Sequence, residues 1–90
     1  MRLIFKSRLD FERWLKQSPT TQRKLNRVNY TVCKSPRGVE LIPVISTRHL
    51  HAIVVETPTT EDYEEVIKLV EKLLGLKEEE IPFCIAEPTM

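Results

Sequence analysis

Residues 29–56, NYTVCKSPRGVELIPVISTRHLHAIVVE, decide the fold class. The run Tyr30-Thr31-Val32-Cys33 is rich in β-branched and aromatic residues and ends at Lys34-Ser35-Pro36-Arg37-Gly38, whose Pro and Gly mark a turn. Val39 to Ile45 and Leu50 to Glu56 follow, separated by Ser46-Thr47-Arg48. Connections this short join antiparallel neighbours, so the stretch predicts a meander of strands over 29–34, 39–45 and 49–56. Pro43 lies inside the middle run, and because proline lacks a ladder donor a bulge is expected there.

On the N-terminal side, Ser7-Arg8-Leu9-Asp10 matches the Ser-x-x-Asp pattern that opens helices, and Phe11, Trp14 and Leu15 recur at i, i+3, i+4. Ser18-Pro19 stops this helix, which spans 8–17. Thr20 to Arg27 carries Arg23, Lys24 and Arg27 with only Leu25 apolar, and reads as a basic loop, a short solvent-facing helical turn being the alternative. On the C-terminal side, Pro58 and Thr59-Thr60-Glu61-Asp62 open a helix over 60–74, with Tyr63, Val66, Ile67, Val70, Leu73 and Leu74 on one stripe and Gly75 as its stop. Leu3 to Phe5 is a short apolar run fit for an edge strand, Ile81 to Ala86 is a last edge strand expected beside it, and Glu87 to Met90 is a tail. The sum is one α+β domain over 1–90, with its core at about 3–76 and an acidic linker, edge strand and tail at 77–90. It is expected to be a two-layer sandwich, an antiparallel three- to five-stranded sheet with two helices on one face. The rival is a ferredoxin-like split βαβ fold, with 2–6 and 81–86 as sheet strands.

The composition, 41% hydrophobic and 30% charged over 90 residues with two Gly, excludes collagen-like, low-complexity and wholly disordered chains. Leu3-Ile4-Phe5 is too short for a signal-peptide apolar region and no run approaches a membrane span, so a soluble cytoplasmic protein without membrane contact is expected. The net charge of +1 conceals an asymmetry: residues 1–57 hold eleven Lys or Arg and four Asp or Glu (+7), residues 58–90 three and nine (−6). The basic half has the composition of a nucleic-acid or acidic-partner surface. Cys33 and Cys84 have no CxxC spacing and read as buried thiols, a disulfide being the alternative in a hyperthermophile. The few Asn and Gln against many Glu and Lys lean toward such a source.

His49 and His51, at i and i+2 of one strand, project to one face as metal ligands do, but Cys33, Cys84 and Glu40 supply no third ligand at a diagnostic spacing. No nucleophile elbow, Gly-rich phosphate loop or HExxH is present, so neither a cofactor nor a catalytic role is expected. The basic residues speak more strongly. Arg23, Lys24 and Arg27 precede the first strand of the meander, Lys34 and Arg37 flank its turn, and Arg48 opens the third strand next to His49 and His51. These eight form the candidate nucleic-acid-binding set, a rim around the open sheet face. Apolar residues occur at both parities of the strands, which makes Ile42, Val44, Ile53 and Val55 a candidate partner interface and a homodimer or hetero-complex the expected state.

The order helix, three-strand meander, helix from Ile4 to Leu76 resembles the small α-β-β-β-α RNA-binding proteins of the signal recognition particle's Alu domain. It also resembles the small ribosomal protein of the large subunit that shares their fold. The residues that carry the resemblance are Ser7-x-x-Asp10-Phe11, the basic turn Lys34-Ser35-Pro36-Arg37-Gly38, and Ser46-Thr47-Arg48-His49-Leu50-His51-Ala52-Ile53-Val54-Val55. The resemblance implies RNA contact through the open sheet face and its edge loops, and pairing with a similar subunit. The expected function is therefore a non-enzymatic accessory or structural subunit that binds structured RNA in a ribonucleoprotein. The alternative is a protein-binding subunit of a replication or modification complex.

Overall fold

The computed structural model describes residues 2–17, 19–45 and 50–85. Its elements run β1 (Arg2–Phe5), α1 (Arg8–Gln17), α2 (Pro19–Lys24), β2 (Tyr30–Ser35), β3 (Gly38–Pro43), β4 (Ala52–Glu56) and α3 (Thr60–Leu74), followed by a 3₁₀ turn at Glu78–Glu80. The strands form one sheet in the order β1-β4-β3-β2, antiparallel from β2 through β4 and parallel between β1 and β4. The α+β class and the meander stand. The sheet is mixed rather than all antiparallel, and the parallel strand β1 sits at its edge, not at its centre.

Register decides which side chains meet the helices. Val39 lies opposite Val55, Leu41 opposite both Ile53 and Val32, and Leu3 and Phe5 opposite Ile53 and Val55. These residues share one face. Phe11 and Leu15 of α1 and Val66, Ile67, Val70 and Leu74 of α3 complete the core on that face, with Leu25 and Ile81 joining the same cluster. None of the fully buried members is more than 5% exposed. Burial of each aliphatic side chain of this kind is worth roughly 1.5–3 kcal/mol, which offsets the entropy of ordering the segments that carry them. Phe5 joins β1 to α1 through ring contacts with Phe11 at 5.6 Å and Trp14 at 5.2 Å.

Local chemistry sets the helix ends. Ser7 Oγ accepts from the Asp10 amide at 3.2 Å, and Thr59 Oγ1 accepts from the Asp62 amide at 3.1 Å, so both capping patterns act as the sequence suggests. Gly75, at φ 68°, ends α3 in the left-handed conformation and donates to the Glu71 carbonyl at 2.8 Å.

Four expectations are corrected. Residues 20–27 are not all loop: Pro19 ends α1 but also heads α2, where a missing N–H costs nothing. Pro43 makes no bulge, because β3 ends on it, paired with Tyr30, and Val44 and Ile45 lie beyond the strand. Segment 81–85 lies beside β2, at the sheet edge opposite β1, with Phe83 bridged to Lys34. Cys33 and Cys84 are not free thiols but a disulfide across 51 residues, their Cα atoms 4.9 Å apart. A cross-link closing a loop of that length stabilises a fold by about 4 kcal/mol in the chain-entropy view.

Gly38 carries the tightest backbone approach. Its φ is 154°, and a Cβ there would overlap the Val55 carbonyl oxygen and come within 2.9 Å of the Thr57 amide. Arg37 and Thr57 are joined at the same point by a 3.0 Å backbone hydrogen bond. Gly38→Ala should therefore lower the unfolding free energy by about 2 kcal/mol or more in a urea titration, whereas Gly75→Ala, with open space around its missing Cβ, should cost less.

Candidate nucleic-acid interface

From Arg13 to Val39 the chain contains no Asp or Glu, while Arg13, Lys16, Arg23, Lys24, Arg27, Lys34 and Arg37 all fall within it. The fold splits this run between the two ends of the sheet. Lys16 in the last turn of α1, Arg23 and Lys24 in the last turn of α2, and Arg27 just beyond are all solvent-exposed at one corner. Among the described residues the ion pairs are Arg8 with Glu65, Arg13 with Asp10 and Lys68 with Glu65, so none involves this quartet.

Asparagines shape the turn that presents them. Asn26 Oδ1 accepts from the amides of Val28 at 2.9 Å and Asn29 at 3.0 Å, and Asn26 Nδ2 donates to the Arg23 carbonyl at 2.7 Å. Asn29 Nδ2 donates to the Lys24 carbonyl at 2.9 Å, and Gln22 Nε2 donates to the Leu15 carbonyl at 2.9 Å, tying α2 to the end of α1. Leu25 anchors the turn in the core. Beside it, a cleft of about 660 Å³ between these helices and α3 has Leu15, Leu25, Leu69 and Leu73 in its lining, with Lys16, Arg23 and Lys72 as its cations and Glu12 as its carboxylate.

The other described candidates do not join this corner. Lys34 shares parity with Val32 and so points to the helix side of the sheet, its Nζ 4.8 Å from the Phe83 ring. Arg37 sits in the β2–β3 turn, roughly 17–20 Å along the sheet from Tyr30. His51 is half-buried just before β4, and its carbonyl accepts from the Tyr30 hydroxyl at 3.1 Å. Arg48 and His49 lie outside the described residues, and with them the expected start of the third strand. Among the described residues no group of three or more His, Cys, Asp or Glu is arranged to hold a metal ion.

The open face of the sheet also differs from expectation. Ile53 and Val55, expected at a partner interface, are 1% and 0% exposed and belong to the core. Ile42, in contrast, is exposed on the other face, and Val44 is exposed beyond the strand. By register the open face carries Arg2, Ile4, Thr31, Cys33, Glu40, Ile42, Ala52, Val54 and Glu56. Two carboxylates and an apolar centre make it a poor phosphate surface. Lys16 and Lys72 join the candidates only here: the acid-free run points to the first, and only the packing of α3 brings in the second. Comparison with protein-family models, curated proteins and solved structures finds no match to this chain. Among the described residues no helix is long and apolar enough to cross a membrane.

Burial raises the pKa of Tyr30, and burial with the nearby Glu78 carboxylate raises that of Tyr63. Both folded-state values lie above the ordinary 10.0, so the stability tied to these neutral phenols is complete below that pH and is lost as pH climbs beyond it. Tyr30→Phe should cost about 1 kcal/mol at neutral pH through the lost hydrogen bond, and should make the alkaline loss of stability shallower, as read from urea titrations on both sides of that value.

Proposed function

We propose that the protein is a non-enzymatic subunit of a ribonucleoprotein that holds structured RNA by its phosphate backbone, with the α1–α2 corner as the contact. The observation that carries this reading is the exposure of Lys16, Arg23, Lys24 and Arg27 together on a stretch without a single acid, on a turn pre-shaped by Asn26 and Asn29. Exposed cations held at fixed spacing displace the counterions condensed on a phosphate chain, and the release of those ions drives binding. The footprint therefore moves from the open sheet face to the helical corner. The cytoplasm is the compartment that goes with this role, and a disulfide persists there in hyperthermophiles.

A second reading, a protein-binding subunit or a homodimer, draws on the exposed Ile4, Ile42, Val44 and Ile45. Sedimentation equilibrium with Ile42→Glu tests it: an associating protein should become monomeric in the variant, and a wild-type mass independent of concentration excludes self-association.

For the RNA reading, a filter-binding titration of a hairpin RNA across a salt series is expected to give affinity falling steeply with salt. Replacing Arg23, Lys24 and Arg27 by Ala should lessen the log–log slope by about 2–3 and weaken all RNA sequences alike. Absence of retention of RNA or DNA at low salt would rule the reading out, and equal retention of duplex DNA would remove the RNA preference from it.

A further inference from the structure

We infer that the free edge of β1, with the groove between it and α1, is a docking site for an extended, acidic-flanked segment of a partner protein, added to the sheet as a further strand. Among the described residues β1 pairs only with β4, so alternate residues of Arg2–Phe5 direct backbone N–H and C=O groups outward. Alongside lies a groove of about 440 Å³ whose lining includes Ile4, Phe5 and Trp14, with Lys6, Arg13 and Asp10 as its charged groups. A sheet edge beside a helix is the geometry in which a peptide gains main-chain hydrogen bonds from the strand and pockets for alternate side chains.

This sheet already accepts such an addition at its opposite edge. There the Lys34 amide donates to the Pro82 carbonyl at 2.8 Å and the Cys84 amide donates to the Lys34 carbonyl at 2.7 Å, so that an extended segment lies along β2. That edge is covered by the chain itself and fastened by the Cys33–Cys84 disulfide.

Charge selects the occupant at β1. Arg2 and Lys6 bracket the strand, and both are exposed. In an antiparallel pairing of two copies centred on Ile4, Arg2 of each would face Lys6 of the other, and like charges directly opposite destabilise a sheet. A second copy is thus disfavoured and a strand with carboxylates at its ends is favoured. Asp10 offers little opposition, being paired with Arg13 at 3.8 Å. The site is separate from the RNA corner, and its test does not depend on that reading.

Trp14 is the single tryptophan of the chain and lies in the groove, so its emission reports occupancy. The probe is a peptide of about ten residues, alternating Val and Thr, with Asp at both ends. Its two controls are the same peptide with Lys ends and the Asp-ended peptide N-methylated at alternate amides. The Asp-ended peptide should give a saturable change in emission, the Lys-ended one should bind about tenfold more weakly or worse, and N-methylation should abolish binding. Exchanging Arg2→Glu together with Lys6→Glu, at an unchanged melting temperature, should reverse the end preference. The inference fails if the Asp-ended peptide gives no saturable change. It fails equally if N-methylation and charge exchange leave binding unaltered, or if Trp14 emission varies with protein concentration alone, which would mark pairing between copies.

Discussion

Val39 opposite Val55, with Leu41 opposite Ile53, is the alignment on which every other feature of this fold rests. Side chains alternate along a strand with a period of two, so a slip of one residue would turn Ile53 and Val55 outward and drive Ala52 and Val54 under the helices. Gly38 and the Arg37–Thr57 hydrogen bond pin the alignment at one end of the sheet, where the chain backbones come close enough to exclude a Cβ. With β4 so fixed, β1 can lie parallel to it, Leu3 beside Ile53, and Phe5 then meets Phe11 and Trp14. The path from a two-residue turn to the seating of α1 is thus continuous.

The same alignment distributes the surface. One face of the sheet is spent on the core, which leaves Ile4, Ile42, Glu40 and Glu56 on the other, around a buried Val54, and removes Lys34 from it. Cations gather instead where α1 and α2 meet, since the Asn26 and Asn29 hydrogen bonds hold the turn and Leu25 sinks into the core beneath it. The two edges of the sheet receive different treatment: the edge at β2 is closed by residues 82–84 and a disulfide, the edge at β1 is short and bracketed by Arg2 and Lys6. A positive corner, a mixed apolar and acidic sheet face and a guarded edge are three separate surfaces on a molecule with a radius of gyration of 12.5 Å.

How much of this was legible in the sequence follows from the range of each determinant. The helices over 8–17 and 60–74 were legible because their signals, Ser7, Thr59, Gly75 and the apolar stripes, act within one or two turns. The partner of β1 was not, since parallel pairing joins residues about fifty positions apart with no turn between them. Ala52-Ile53-Val54-Val55 is apolar at every position, so its pattern names a buried strand but not the face that meets the helices, and Ile53 and Val55 were placed on the wrong one. Pro19 was read only for the helix it ends, although the same ring suits the first position of the next. Of the candidate cations, Arg23, Lys24 and Arg27 do gather, because all precede β2 on one short segment; Lys34 and Arg37 are carried to the far end by the length of the strand itself.

Methyl and backbone NOEs on isotope-labelled protein test the alignment most directly. The account predicts cross-strand contacts of Leu41 and of Leu3 with Ile53, and methyl contacts from Ile53 and Val55 to Val66 and Val70 with none from Val54. Methyl contacts from Ala52 and Val54 to α3, with Ile53 turned toward Ile42, would contradict it.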